Sequence, residues 1–183
     1  MRFVVIVGNP KPCSRTLKVA KAAADAVASA LDLTSGYELV DLSSLSRRLL
    51  LPEPSAAVED AADLVRGADL LLVASPTFKG TYTGLLKVFL DRLPYHALNG
   101  IWALPLLVMN APRHALAVDV HLRPLLVELG ASVPTPGLTV LESEISRLDE
   151  LLRPWVRTVS DVADGALGAS RRAVALAGSG YEL

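Results

Sequence analysis

Short apolar runs alternate with segments of helical periodicity along most of this chain. The apolar runs, typical of buried strands, cover residues 3–7, 37–42, 69–74, 104–109 and 138–141. Helical patterns with start and stop signals cover 16–31, 55–65, 83–93 and 112–129, and another begins after 143. Such alternation requires right-handed crossovers between parallel strands. We therefore predict an α/β fold, a doubly wound five-stranded parallel sheet in three layers.

The charge balance and the single cysteine limit the possible functions. The 183 residues include 18 basic and 19 acidic side chains, and this gives no electrostatic basis for binding nucleic acid. One cysteine excludes an intramolecular disulfide framework, and neither a secretory leader nor a membrane-spanning run is evident. We expect a cytoplasmic protein without a membrane partner. Residues 1–165 would form one domain, and 166–183 a tail that is partly helical or flexible.

The sequence is more apolar than a single domain of this size needs to be. Apolar residues make up 51% of the chain and charged residues only 20%. The segment 116–129 is apolar almost all round, which requires burial on more than one side. We therefore predict a homodimer or a homotetramer, in which this helix contributes to the subunit interface.

Two polar loops follow predicted strands and are candidates for a binding site. SPTFKGTY, residues 75–82, follows the third strand, and GNPKPCSRT, residues 8–16, follows the first. Ligands of open α/β sheets bind at the carboxyl ends of the strands. Hydroxyls and a guanidinium at the start of a helix suit a phosphate group. The alternative is that Ser14 or Thr16 serves only as a helix N-cap.

Known nucleotide-binding signatures narrow the choice of fold. The first strand is followed neither by GxGxxG nor by GxxxxGK[ST], which argues against a standard dinucleotide-binding unit and a P-loop NTPase.

Together, GNPKPCSRT and SPTFKGTYTGLLKVFLDRLP resemble the NADPH-dependent FMN reductases of the flavodoxin-like superfamily, especially the reductase components of two-component alkanesulfonate monooxygenases. LAVDVHLRPLLVELGA, residues 116–131, is a third similar segment, and the resemblance runs from about residue 3 to residue 145.

The resemblance implies hydride transfer from NADPH or NADH to FMN, with the reduced flavin passed to a partner monooxygenase, a quinone or an azo compound. Because the flavin carries this chemistry, no catalytic side chain and no metal are expected. By the same resemblance, Ser14, Arg15 and Thr16 would bind the FMN phosphate. The remaining cofactor-binding residues would be Pro10, Pro76, Thr77, Phe78, Lys79, Asn110 and Ala111.

The sequence departs from the family pattern at three places. Phe78 stands where tyrosine is more common, and residues 108–114, VMNAPRH, replace a loop with a Gly-Gly pair. Pro124 lies inside a predicted helix, where its missing N–H forces a kink or a wider turn at Val120 and His121. Valine at 120 replaces an aromatic that related reductases insert at a tetramer interface.

Several alternatives remain at the level of sequence. Phe78 could belong to the core, and Lys79 could be a solvated loop cation or a nucleotide contact. Cys13 is interpreted as a bystander, because no histidine or aspartate is linked to it in sequence. A flavodoxin-like electron carrier is less consistent with a net charge of −1, and a flavin-free interaction subunit is a third possibility.

Overall fold

The computed structural model describes residues 1–51 and 53–178 and contains the predicted five-stranded parallel sheet. The strands lie in the order β2-β1-β3-β4-β5, and every neighbouring pair is parallel. This order is that of the flavodoxin-like doubly wound sheet, so the predicted fold class is confirmed. The strands are β1 Phe3–Val7, β2 Glu38–Asp41, β3 Leu70–Pro76, β4 Trp102–Met109 and β5 Leu138–Leu141.

Helices cover both faces of the sheet and divide the core in two. They are α1 Arg15–Ala30, α2 Ala56–Arg66, α3 Gly84–Leu90, α4 Arg123–Glu128 and α5 Leu148–Gly178. Alternate residues of the strands point to opposite faces. Phe3 and Val5 of β1 therefore pack with α1 and α5, whereas Val4 and Ile6 pack with α2, α3 and α4. The sheet is buried on both sides, as parallel sheets require.

The segment predicted as one helix over 112–129 is broken into three parts. A 3-10 turn covers Pro112–His114, a π-helix covers Val118–Leu122, and α4 follows. The predicted wide turn before Pro124 is confirmed, because a proline cannot supply the N–H of a regular helical turn. The Arg123 guanidinium fixes this segment by donating to the Asp119 carboxylate and to the carbonyl oxygens of Val133 and Thr135.

Pro105 lies in the interior of β4 rather than near its start, because the strand begins earlier than predicted, at Trp102. Backbone N–H groups alternate in direction. That of Trp102 donates to the carbonyl oxygen of Asp69, just before β3, and that of Ala103 donates to the carbonyl oxygen of Ser132 on the opposite side. The nitrogen of Pro105 therefore faces the β5 side. The ladder with β5 begins only at Leu106, so the missing N–H costs little.

The last helix continues beyond the predicted domain boundary at residue 165. It runs to Gly178, and residues 179–183 of the predicted tail lie outside the described residues. On its buried side Trp155 packs in the core and donates from its indole nitrogen to the carbonyl oxygen of Pro136. Within the described ranges, the structure contains no helix with the length and apolar composition needed to span a membrane.

Candidate functional site

Three loops meet at the carboxyl edge of the sheet, where β1, β3 and β4 lie side by side. The first loop comprises residues 8–14 after β1, the second loop residues 77–83 after β3, and the third loop residues 110–114 after β4. The N–H of Thr77 donates to the carbonyl oxygen of Val108 over 2.8 Å, so the second and third loops leave the sheet together. This edge is the ordinary ligand-binding edge of the fold.

Asn9 shapes the first loop, although the sequence reasoning assigned it no role. Its side-chain oxygen accepts from the N–H of Lys11 over 2.9 Å, and its amide nitrogen donates to the Thr16 hydroxyl over 3.0 Å. Asn9 and Thr16 are both buried. Asn9 thus forms an Asx-type turn with Lys11 and, through a separate hydrogen bond, holds the hydroxyl of the predicted phosphate contact Thr16 from within the protein.

Ser14 is the N-cap of α1, as one of the two sequence interpretations proposed. Its Oγ accepts from the N–H of Leu17 over 3.1 Å, and Cys13 before it has a φ of 51°. The cap role does not exclude a ligand, since the hydroxyl can still donate. Within the described part of the chain, the backbone N–H groups of Arg15 and Thr16 have no hydrogen-bond partner. They are the free amides of a helix N-terminus, which attract anions.

The Arg15 side chain has a partner that was not predicted. Its guanidinium lies 2.9 Å from a carboxylate oxygen of Glu142, which follows β5. Two-thirds of the Arg15 side chain is exposed to solvent, against 32% for Glu142. The fold therefore places Glu142 next to the N-terminus of α1, although the two residues are far apart in sequence.

The second loop is a tight hairpin that presents Phe78 to solvent. Phe78 and Thr81 exchange backbone hydrogen bonds of 2.8 and 3.4 Å around Lys79 and Gly80. Lys79 and Gly80 have φ angles of 57° and 84°, typical of a type I′ turn. Phe78 is 51% exposed, so the alternative that it belongs to the core is wrong.

Thr83 connects the second loop to the first. Its hydroxyl donates to the carbonyl oxygen of Gly8 and accepts from the N–H of Leu86, and its own N–H donates to the Ser75 hydroxyl. A Cβ on Gly8 would lie 2.7 Å from the Cβ of Leu86, so only glycine allows α3 to approach so closely. The two loops therefore form one rigid unit.

The third loop completes a cleft of about 640 Å³. The lining residues are Thr77, Phe78, Lys79, Gly80, Asn110, Arg113 and His114. The Nδ1 atom of His114 is buried and, among the described residues, has no hydrogen-bond partner. Arg113 and His114 were not predicted as site residues. Their proximity to the second loop follows from the pairing of β3 with β4, which could have indicated them.

The structure separates the predicted site residues into two groups. Ser14, Arg15 and Thr16 lie at the start of α1, while Thr77, Phe78, Lys79 and Asn110 line the cleft. The other three do not line it: Pro10 is exposed, Pro76 is buried at the end of β3, and Ala111 is half-buried. Among the described residues, no three histidine, cysteine, aspartate or glutamate side chains form a group able to hold a metal ion.

Several known proteins are similar to this chain in sequence and in fold. The family model of NADPH-dependent FMN reductases matches residues 1–144. The chain is 30% identical to an FMN reductase (NADPH) of Pseudomonas aeruginosa over 172 residues, covering 91% of this chain and 92% of the relative. It is 31% identical to the NADH-dependent FMN reductase SfnF of Pseudomonas putida, covering 75% of this chain and 76% of the relative.

A solved structure agrees with these matches. The apo form of the NADH:FMN oxidoreductase EMOB superimposes with a TM-score of 0.73 and 33% identity, covering 85% of this chain and 88% of that one. The sequence motifs, the three loops and the sheet order therefore have one common explanation. The chain belongs to the NADPH-dependent FMN reductase family.

Proposed function

We propose that the three loops together bind FMN and that the protein transfers a hydride from NADPH or NADH to it. The family membership makes the protein an oxidoreductase that uses FMN and a reduced nicotinamide nucleotide. One observation supports assigning FMN to these loops. The start of α1 and a cleft with an aromatic wall at Phe78 lie at the same edge of the sheet. The first fits a phosphate group and the second a flat heterocycle.

The start of α1 has the chemistry that a phosphate monoester requires. The free N–H groups of Arg15 and Thr16 lie at the positive end of a helix of 16 residues. The Ser14 hydroxyl and the Arg15 guanidinium add donors within the same turn. A charge-assisted hydrogen bond contributes about 1.5–3 kcal/mol, so even one or two such contacts favour FMN over riboflavin.

The cleft has the size and chemistry that an isoalloxazine ring requires. Its volume of about 640 Å³ lies within the usual range for cofactor sites. Phe78 supplies an exposed aromatic face, and Asn110 supplies amide donors and acceptors on the opposite loop. The buried Nδ1 of His114, which lacks a partner in the described part of the chain, is a further polar atom at the wall. The residues present therefore fit FMN.

FMN held by these loops would supply the hydride-accepting chemistry of the reaction. The residues of this chain then have the tasks of binding and orientation. Ser14, Arg15 and Thr16 hold the phosphate end, and Phe78 and Asn110 hold the ring at the edge of the sheet. The hydrogen bonds of Thr83 to Gly8 and Ser75 fix the distance between these two groups. Because this distance is set before FMN binds, the loops need little further ordering to hold both ends of the cofactor.

Reduced FMN is proposed to pass to a partner flavin-dependent monooxygenase, as the resemblance implies. The alternative acceptors are a quinone or an azo compound, which would react with FMN while it stays bound. We propose a cytoplasmic location, because reduced nicotinamide nucleotides are supplied there.

A second copy of the chain is proposed to cover the outer face of the π-helix and α4. Leu116, Val120 and Val127 on this face are 73%, 56% and 54% exposed. A neighbouring groove of about 560 Å³ between α3 and α4 is lined by apolar residues such as Leu90, Leu125 and Leu129 together with charged side chains such as Lys87 and Glu128. Exposed apolar residues in such number are typical of an interface. A homodimer or homotetramer would bury them.

The reductase activity is tested by nucleotide oxidation in air. Purified protein with added FMN should oxidise NADPH or NADH at a rate that saturates with FMN. The controls omit the protein or the flavin. The absence of FMN-dependent turnover with both nucleotides would show that the proposed activity is wrong.

A further inference from the structure

Two cationic side chains face the same cleft from different loops. Lys79 lies at the tip of the second loop, and Arg113 lies in the 3-10 turn of the third loop. Both are exposed and both line the cleft of about 640 Å³. Among the described residues that line the cleft, His114 is a third basic side chain and none is an aspartate or a glutamate.

No described residue forms an ion pair that would neutralise the positive charge of these two side chains, Lys79 and Arg113. Some arginines have a carboxylate partner, as Arg15 has Glu142, but other described arginines such as Arg157 form no ion pair either, so the place of Arg113 at the cleft is what distinguishes it. Two uncompensated cations at the mouth of a ligand cleft create a local positive potential that attracts anionic ligands.

The nicotinamide nucleotide is the anionic ligand that this cleft must admit, because its ring has to reach the flavin. NADPH differs from NADH by a phosphate on the adenosine ribose, which carries close to two negative charges at neutral pH. A guanidinium binds a phosphate through two parallel hydrogen bonds, and an ammonium adds a point charge. Lys79 and Arg113 are exposed at the mouth of the cleft, so a nucleotide whose nicotinamide enters the cleft and whose adenosine end points outward would pass them.

We propose that Arg113 and Lys79 bind the 2′-phosphate of NADPH and make the enzyme select NADPH over NADH. This inference rests on the proposed function, since it concerns the second substrate of the same cleft. It distinguishes the chain from relatives whose names specify NADH. Arg113 is the main selectivity residue because a guanidinium can bind a phosphate through two parallel hydrogen bonds, and Lys79 adds charge.

Binding of nucleotide fragments to the FMN-loaded protein tests the inference without turnover. Calorimetry compares adenosine 2′,5′-bisphosphate with adenosine 5′-monophosphate, which lacks the diagnostic phosphate. The unmodified protein should prefer the bisphosphate by about tenfold or more, the effect of one charge-assisted hydrogen bond. Arg113→Ala should remove most of that preference, Arg113→Lys should retain part of it, and Lys79→Ala should reduce it. Arg157→Ala, an exposed cation on α5 outside the cleft, is the matched control.

Steady-state kinetics with both nucleotides separates this inference from the proposed function. Arg113→Ala should raise the KM for NADPH by about tenfold while changing the KM for NADH much less. Equal losses for both nucleotides would show that Arg113 binds the shared pyrophosphate, and the inference would be wrong. An active enzyme with no preference for the bisphosphate would also overturn it. The proposed function fails only if neither nucleotide supports FMN-dependent turnover.

Discussion

The Thr83 hydroxyl donates a hydrogen bond to the carbonyl oxygen of Gly8, a residue 75 positions earlier in the chain. Thr83 is also the N-cap of α3, because the same oxygen accepts from the N–H of Leu86 over 3.1 Å. One buried side chain thus begins a helix and joins the two loops that are proposed to hold the ends of FMN.

Replacing Thr83 by valine should destabilise the protein and weaken FMN binding. The substitution preserves shape but leaves the Gly8 carbonyl and the Leu86 N–H without a partner, at a cost of about 1–3 kcal/mol. Urea unfolding gives the stability, and fluorescence titration gives the FMN affinity. Thr83→Ser, which keeps the hydroxyl, is the control and should lose much less. A stability of Thr83→Val equal to that of the unmodified protein would contradict this role.

Gly8→Ala should be destabilising for a steric reason. The added Cβ would lie 2.7 Å from the Cβ of Leu86, so α3 must shift away from β1. Overpacking of this kind costs about 1–3 kcal/mol. Gly84→Ala is the matched control, because a Cβ there has no atom within 4 Å and alanine favours the helix. Thermal or urea unfolding measures the stability of both variants. Equal stabilities would show that α3 does not pack closely against Gly8.

Arg15→Ala should weaken FMN binding by about tenfold while leaving riboflavin binding nearly unchanged. FMN carries the phosphate that the Arg15 guanidinium is proposed to contact, and riboflavin lacks it. The loss corresponds to one charge-assisted hydrogen bond at an exposed site. Parallel titrations with the two flavins measure the difference. Equal losses for FMN and riboflavin would remove Arg15 from the phosphate site.

Glu142→Gln should have the opposite effect and tighten FMN binding about two- to fivefold. The Glu142 carboxylate holds the Arg15 guanidinium at 2.9 Å and places a negative charge near the proposed phosphate position. Exposed ion pairs contribute about 0.2–1 kcal/mol, which sets the size of the gain. The control is Glu144→Gln in the same segment, which should leave FMN affinity unchanged. The gain should shrink at high salt; weaker binding in Glu142→Gln would mean that Glu142 positions Arg15 for the ligand.

Leu116→Glu combined with Val120→Glu should lower the oligomeric state. Both side chains are more than half exposed on the proposed interface, so the carboxylates are tolerated in a monomer but opposed in an apolar contact. Light scattering of the purified variant gives the mass. Leu50→Glu, at an exposed position outside this face, is the control. An unchanged mass for the double variant would place the interface elsewhere.

The sequence by itself determined the sheet and the position of the candidate site along the chain. Strand and helix periodicity required the parallel α/β sheet. The missing N–H of Pro124 indicated the wide turn that the structure shows as the π-helix Val118–Leu122. Polar loops after the first, third and fourth strands had to meet, because the carboxyl ends of neighbouring parallel strands share one edge.

Only the tertiary structure decided which side chains contact one another at that edge. The ion pair of Arg15 with Glu142 and the bond of Thr83 to Gly8 join residues far apart in sequence. Such contacts depend on side-chain directions and loop paths that no local pattern encodes. The family resemblance implied Phe78 and Lys79 as cofactor-binding residues, and the folded structure shows that Arg113 and His114 line the same cleft.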